Sequence, residues 1–353
     1  MLKRTRSKGV HRWVRISILT VFVGLMIMVI LVFRKYQDVF ATNVALDEPY
    51  THFYIYPDEH YDEVKSRLEQ SDILADPASF HWVAKKKDYP GSVKPGRYRI
   101  ENGMSNNQLV NMFRSGTQDP VMVVFHNVRN LAELSGKVSL YLEPDSLEFL
   151  EYLTRRELPG EYGFKPETFT CMFIPNTYEF YWTASPEDFT DRMASEYEKF
   201  WDKRDRKRSN LDMTREEVIT LASIVDEETL HDEENEAIAG VYMNRLEQGI
   251  PLQADPTLKF AMNDFTRKRI LNADKAIDSP YNTYKNRGLP PGPISIPSVS
   301  AIDGVLNYEK HNYIFFCAKP DFSGYHAFAR TLRQHNRNAR AYQQALNRNR
   351  IYE

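Results

Sequence analysis

Glu228 continues the apolar side of a helical pattern, and a carboxyl in that position can do acid chemistry. Thr214-Arg-Glu-Glu217 reads as a capping box, a hydroxyl for the orphan amides with a glutamate three residues on to reach back. The helix behind it is expected over Glu217–Leu230, with Leu221, Ile224 and Val225 on one stripe at 3.6-residue spacing. Three or four residues further along that stripe stands Glu228, while Asp226 and Glu227 project to the flanks, where they stay solvated. Burial disfavours the charged carboxylate and raises its pKa. A carboxyl kept protonated near neutral pH is a general acid, as the glutamic acid of lysozyme illustrates. The same spacing also fits a structural ion pair between Glu228 and Arg245, or a frayed helix end.

The elements that would position such an acid come next in the chain. A second helix, with core positions Ile238, Val241, Tyr242 and Leu246, ends near Gly249, a suitable left-handed cap. Three loops succeed it: Leu252–Thr257, Ser279–Tyr284 and Gly288–Ser298, dense in amides, hydroxyls and aromatic rings. Asn, Gln, Asp and Thr match sugar hydroxyls and acetamido groups, tyrosine faces stack on pyranose rings, and the prolines stiffen the turns. Tyr313–Ala318 and Tyr325–Phe328 read as a hairpin in which His326 alternates with apolar neighbours. That pattern suits a satisfied half-buried histidine as well as a site residue. Thr331 opens the last helix, whose arginines read as a solvated face.

Upstream the pattern changes twice. Residues 1–15 hold six Lys and Arg and no acid, a charge of +6 that leaves −8 for the rest of a chain with net charge −2. Ile16–Phe33 carries no charged residue, and an apolar run of about 18–20 residues can span the hydrocarbon core as a helix. The run is longer than the apolar core of a cleaved secretory signal, usually about 7–15 residues, so an anchor is expected over 16–35. The basic excess in front places the N-terminus (residues 1–15) in the cytoplasm and the chain beyond the anchor outside the inner membrane.

Residues 37–50 then read as a connector. Strands at Thr51–Tyr56, Gly96–Ile100 and Val121–Phe125 alternate with helices at Tyr61–Gln70, Pro77–Ala84 and one capped by Ser105, a small α+β module within 37–128. Residues 129–210 read as a mostly helical connecting region, with Lys203–Arg208 a solvated basic loop, and 211–353 holds the chemistry.

Composition excludes other classes. At 42% hydrophobic the chain is too apolar for disorder, and its near-neutral balance gives no support for nucleic-acid binding. GxGxxG, GxxxxGK[ST] and GxSxG motifs are absent, and the histidines lack metal-ligand spacing, so neither cofactor nor metal is expected. Cys171 and Cys317 are too far apart for a zinc knuckle or a redox motif; whether they pair stays open.

Taken in order, Leu221-Ala-Ser-Ile-Val-Asp-Glu-Glu-Thr229, Asn244-Arg-Leu246, Leu252-Gln-Ala-Asp-Pro-Thr257, Tyr281-Asn-Thr-Tyr284, Gly288-Leu-Pro-Pro-Gly-Pro-Ile294 and the His326, Phe328, Thr331, His335 and Asn336 positions resemble the MltG (YceG-like) family of membrane-anchored endolytic murein transglycosylases. Lys94–Ile100 and Phe173–Tyr178 fit its pattern upstream. The resemblance implies an α+β fold: a single transmembrane helix, a small LysM-like module that helps hold glycan, and a larger mixed catalytic domain with a lysozyme-like helical region and a β-hairpin. It implies that Glu228, the second acidic residue of the motif, is the catalytic acid; this chain has Asp226 where the family usually has Glu. Asn244, Gln253, Asp255, Thr257, Asn282, Thr283, Tyr284, His326 and Asn336 are implied as substrate-binding positions.

The implied reaction cleaves the β-1,4 bond between N-acetylmuramic acid and N-acetylglucosamine in nascent strands, leaving 1,6-anhydro ends. That would end strand elongation beside the peptidoglycan synthases. The residues leave two rivals open: a muramidase that uses Asp226 or Asp255 to activate water, and a non-catalytic glycan-binding scaffold.

Overall fold

A computed structural model describes residues 7–267 and 269–349. The chain begins with α1 (Ser7–Phe40), followed by β1 (Tyr50–Ile55), α2 (Tyr61–Gln70), α3 (Pro77–Lys86), β2 (Gly96–Glu101) and α4 (Asn106–Ser115). Next come β3 (Val121–Phe125), α5 (Leu131–Val138), α6 (Ser146–Leu153), α7 (Leu158–Glu161), β4 (Asn176–Phe180), α8 (Pro186–Asp202) and α9 (Asp205–Arg208). The last stretch holds α10 (Arg215–Glu228), α11 (Asn235–Glu247), α12 (Asp255–Met262), α13 (Val299–Leu306), β5 (Phe315–Ala318), β6 (His326–Ala329) and α14 (Leu332–Arg348). Helices and strands are thus mixed, with the described strands in three two-stranded pairs, β1–β2, β3–β4 and β5–β6.

Two compact units emerge, one of residues up to 121 with 181–183, the other of 122–180 with 184 onward. The segment 129–210 therefore packs largely in one body with the residues after it, and 122–128 belongs to that body too.

In the first unit, β1 and β2 pair antiparallel with Phe53 opposite Tyr98, and α2 and α3 connect them, a β-α-α-β order. Their inward side chains form a core around the ring of Phe113, which meets Tyr98 edge-on at 5.0 Å and stacks on Tyr89 at 5.9 Å. Trp182, from the 181–183 excursion, lies edge-on to Tyr54 and Tyr56. The helix α1 runs on to Phe40 through the start of the expected connector, and its apolar side chains, such as Ile18 and Phe22, are exposed. Over Arg12–Phe40 it is long and apolar enough to cross a membrane. Its end is tied down by buried amides: Asn106 donates to the Asp38 carbonyl (2.8 Å) and to Ser79 Oγ (2.9 Å), while Asn43 donates to Asn106 Oδ1 (2.7 Å).

In the second unit, α10 packs against α11 and α13. Thr214 caps α10 as the sequence indicates, its hydroxyl accepting from the Glu217 amide. Two expectations about this helix change. Every residue from Val218 to Val225 is buried, so α10 is enclosed on all faces rather than along one stripe. It also stops at Glu228: Thr229 turns extended, and Leu230, expected inside the helix, is 94% exposed.

Packing fixes the loops around it as well. Ser223 Oγ accepts from the Ile294 amide (3.0 Å), and Gly292 lies so close to Glu167 that a Cβ there would sit 1.9 Å from the Glu167 carbonyl oxygen. The basic run at 203–208 is partly helical (α9) and works as a tether rather than a solvated loop. Arg204 grips Asp303 on α13 through both carboxylate oxygens (2.7 and 2.8 Å). Cys171 is buried, Cys317 lies in β5, and both are free thiols.

Candidate active site

Glu228 is the last residue of α10, and the next helix supplies its partner. Tyr242 on α11 is buried and donates its hydroxyl to Glu228 Oε1 at 2.7 Å. The Glu228 residue as a whole is half-buried, but its carboxyl is deep enough that desolvation is the largest influence on it. Burial lifts its pKa from 4.5 to about 7. The Tyr242 hydroxyl and Lys259 pull the other way, and the Asp255 and Glu227 carboxylates add to the rise. A substantial protonated fraction therefore persists at neutral pH, which general-acid catalysis requires.

The ion-pair alternative with Arg245 does not form. Arg245 is 6% exposed, and its guanidinium donates instead to the carbonyls of Pro251 and Ile314 and to Gln253 Oε1 (2.6 Å). Those bonds seat the 250–254 loop against β5. A buried guanidinium needs such a set of acceptors to offset its lost hydration.

Glu228 opens into a cleft of about 390 Å³ whose walls include Tyr242, Gln253, Asp255, Tyr284, Phe316 and His326. The expected hairpin forms one wall, with Ala318 opposite His326 and Phe316 opposite Phe328. His326 is oriented from behind. Its backbone amide and its Nδ1 both meet the Glu234 carboxylate at 2.8 Å, and Glu234 is itself 7% exposed. The Nδ1 proton is thereby assigned, which leaves Nε2 as the ring nitrogen available on the cleft side.

Glu228, Gln253, Asp255, Tyr284 and His326 are thus brought together. The other expected contacts are not at the cleft wall. Thr257, Asn282 and Thr283 are buried and spend their polar atoms on the protein. Thr257 Oγ1 meets Thr283 Oγ1 at 2.8 Å, Thr283 Oγ1 accepts from the Ala254 amide, and Asn282 donates to the carbonyls of Lys275 and Ile277. These residues fix the shape of the 252–257 and 279–284 loops, because buried polar groups must find partners within the fold. Asn244 does the same for the approach to β5, donating to the His311 and Tyr313 carbonyls. Asn336 lies on α14 away from the cleft wall, and its neighbour His335 lines the cleft instead, stacked on Phe315.

Of the carboxylates near Glu228, Asp226 and Asp255 are hydrogen-bonded within the fold, Asp255 at the cleft wall, and Glu227 is exposed. Asp226, expected to be solvated, accepts from both the Ser298 hydroxyl (2.5 Å) and amide (3.1 Å), fixing the start of α13. Asp255 accepts from the Tyr284 hydroxyl. The site can thus deliver one proton from one carboxyl to a bond lying in a cleft of aromatic faces and polar tips.

A sequence model described as the YceG-like family matches residues 53–341. The chain belongs to the YceG-like family. An endolytic murein transglycosylase of Bacillus subtilis is 28% identical over 294 residues, which span 78% of this chain and 79% of that protein. One from Streptococcus pneumoniae is 28% identical over 306 residues, 78% of this chain and 55% of that longer protein. The crystal structure of a yceG-like protein from Listeria monocytogenes superposes with a TM-score of 0.55 at 25% identity, covering 82% of this chain and 98% of that one.

Within this YceG-like site, three partners escape sequence reasoning. Tyr242 reads only as a core position of its helix, and Glu234, inside the acidic run Asp232–Glu236, carries no local mark that distinguishes it from solvated neighbours. His335 falls within the family motif, but nothing in its spacing assigns it to the cleft wall. Tyr242 yields a prediction with a defined sign. Its hydroxyl favours the ionised form of Glu228, so Tyr242→Phe moves the pKa of Glu228 further up. The alkaline limb of the pH–rate profile then shifts upward by roughly 0.5–1 pH unit, the effect of about one lost hydrogen bond. A limb that stays put or moves down contradicts the assignment.

Proposed function

We propose that this protein is an endolytic murein transglycosylase that cuts the β-1,4 bond between N-acetylmuramic acid and N-acetylglucosamine, with Glu228 as its acid. One observation carries the reading: a single carboxyl, held near pKa 7 by burial and contacted by Tyr242, stands in a cleft suited to sugars. Protonated Glu228 gives its proton to the glycosidic oxygen as positive charge develops at C1 of the muramic acid residue. The carboxylate so formed takes the proton of that sugar's C6 hydroxyl, whose oxygen bonds to C1. The strand leaves with a 1,6-anhydro end, and water is not consumed. An internal nucleophile removes the need for the second carboxylate that most glycosidases use. The capture of Asp226 by the Ser298 hydroxyl and amide supports this reading over a muramidase that uses Asp226. The names of the Bacillus and Streptococcus relatives support the same activity.

In this reading α1 anchors the enzyme in the cytoplasmic membrane with its basic end inside and the second unit outside, which brings nascent strands and their synthases within reach. The β-α-α-β order of the first unit supports a LysM-like role in holding glycan, and the helices around Glu228 play the part of the lysozyme-like region.

Mass spectrometry of uncross-linked strands after digestion tests the function. Anhydro ends, lighter by one water than reducing ends, are expected. Reducing ends would make the enzyme a hydrolase, and intact strands would make it a binding protein.

A further inference from the structure

Glu234 is not among the described residues that wall the cleft, yet both oxygens of its buried carboxylate reach toward the site. Oε1 accepts from the His326 backbone amide (2.8 Å), while Oε2 accepts from His326 Nδ1 (2.8 Å) and from Thr229 Oγ1 (3.3 Å). Thr229 directly follows the acid, so one carboxylate joins the turn after α10 to β6. The same segment is fastened a second time. His231 stacks on Tyr325 with ring centroids 3.9 Å apart, and its Nε2 donates to the Ser323 carbonyl (2.9 Å). Gly324 permits that approach, since its φ is +82° and a Cβ there would lie 2.9 Å from His231 Nε2.

From there the contacts run to the acid through side chains as well. The His326 ring meets Phe316 edge-on (5.3 Å), Phe316 meets the Tyr242 ring edge-on (5.8 Å), and Tyr242 holds Glu228. A carboxylate can only accept, so the proton between Glu234 and His326 sits on Nδ1. The hydrogen bond at one ring nitrogen decides what the other can do, and here it leaves Nε2 free of its proton on the cleft side. Few acceptors compete with it there. Glu228 keeps a substantial protonated fraction, and the Asp255 carboxylate already accepts from Tyr284. Sugar hydroxyls, however, need acceptors as well as donors.

We infer that Glu234 is a positioning residue of this site: it holds His326 as the Nδ1–H tautomer, so that Nε2 is presented beside Glu228 as an acceptor for a hydroxyl of the bound glycan. The inference rests on the functional reading above and adds how the imidazole is set to serve it. Glu234 touches no sugar and acts through the ring alone.

A double-mutant cycle on kcat/KM for glycan cleavage by the full-length chain tests it. Glu234→Gln keeps the side chain's size and still accepts from the His326 amide, but its NH₂ group replaces the second oxygen and donates to Nδ1. The ring proton then moves to Nε2, and a donor stands where the acceptor was. A fall of about ten- to hundredfold is expected, the effect of one lost hydrogen bond and one mismatched donor. In a His326→Gln background the same change is expected to cost less than about twofold, because its effect runs through the imidazole. Nitrogen-15 spectra of the histidine-labelled full-length chain, with His326 assigned by its absence from His326→Gln, read the tautomer directly. Nδ1–H is expected in the unmodified protein and Nε2–H in Glu234→Gln. Full activity in Glu234→Gln, or losses that multiply across the cycle, overturns the assignment. So does an Nε2–H or doubly protonated ring in the unmodified protein, which is read even where Glu234→Gln fails to fold. A chain that cleaves no glycan, or whose Glu228→Gln variant still does, overturns the functional reading instead, and the tautomer is measured without activity, so the two failures are told apart.

Discussion

Glu228→Gln leaves a protein that binds glycan and cleaves it about a thousandfold more slowly, because a general acid supplies roughly 10²–10⁴ in rate and an amide cannot replace it. The replacement keeps the size of the side chain and can still accept from the Tyr242 hydroxyl, so loss of activity is not a packing effect. In the unmodified enzyme the acid must be protonated to act. kcat/KM on glycan strands is therefore level below pH 7 and falls as pH rises through the Glu228 pKa of about 7.

The same group has a stability signature. Its folded-state pKa of about 7 lies above the 4.5 of an unperturbed glutamate. Any benefit of holding the proton is present below about pH 4.5 and is lost as pH rises through 7. Ionised Glu228 above that pH costs the fold up to roughly 3 kcal/mol, at about 1.4 kcal/mol per pH unit. Glu228→Gln should then melt higher than the parent at pH 8 and differ little at pH 4. Thermal unfolding at the two pH values, beside product analysis by mass spectrometry, checks both halves. An inactive variant with no pH-dependent gain in stability would mean that the carboxyl is not buried in the native protein.

The second large effect is expected at Arg245. Substitution by leucine keeps a buried apolar stem but removes the donors to the Pro251 and Ile314 carbonyls and to Gln253. Charged hydrogen bonds are worth about 1.5–3 kcal/mol each, and the acceptors left behind are shielded from water. A loss of about 3–5 kcal/mol is expected, read as the shift in urea midpoint. Residual activity of the folded fraction should fall too, since the 250–254 loop and β5 are joined through this guanidinium and carry Gln253, Phe315 and Phe316 into the cleft. Arg245→Lys is expected to recover only part of the stability, because one ammonium cannot reproduce the guanidinium's fork across three acceptors. A neutral Arg245→Leu would show that loop and hairpin hold their places without it.

The helix that carries Glu228 is legible in the chain itself. The Thr214 cap fixes where its helix starts, and the period brings Glu228 to the apolar side, although that stripe proves to be a helix buried on every face and the period alone leaves an ion pair equally open. The apolar run of α1 and the β5–β6 hairpin are legible too, because each rests on interactions within a few residues. The ordered motifs point to the family, which the match over residues 53–341 bears out. The uses of the polar motif residues are not legible. Asn, Thr and Asp look alike in sequence whether they face a sugar or a carbonyl. Only the packed structure turns Thr257, Asn282 and Thr283 inward, ties Asp226 to Ser298, and sets Glu234 behind His326 across 92 residues of chain. Periodicity and caps are local and so are written in the sequence. The pairing of buried polar groups depends on which distant segments come to share a site, and tertiary packing alone decides that.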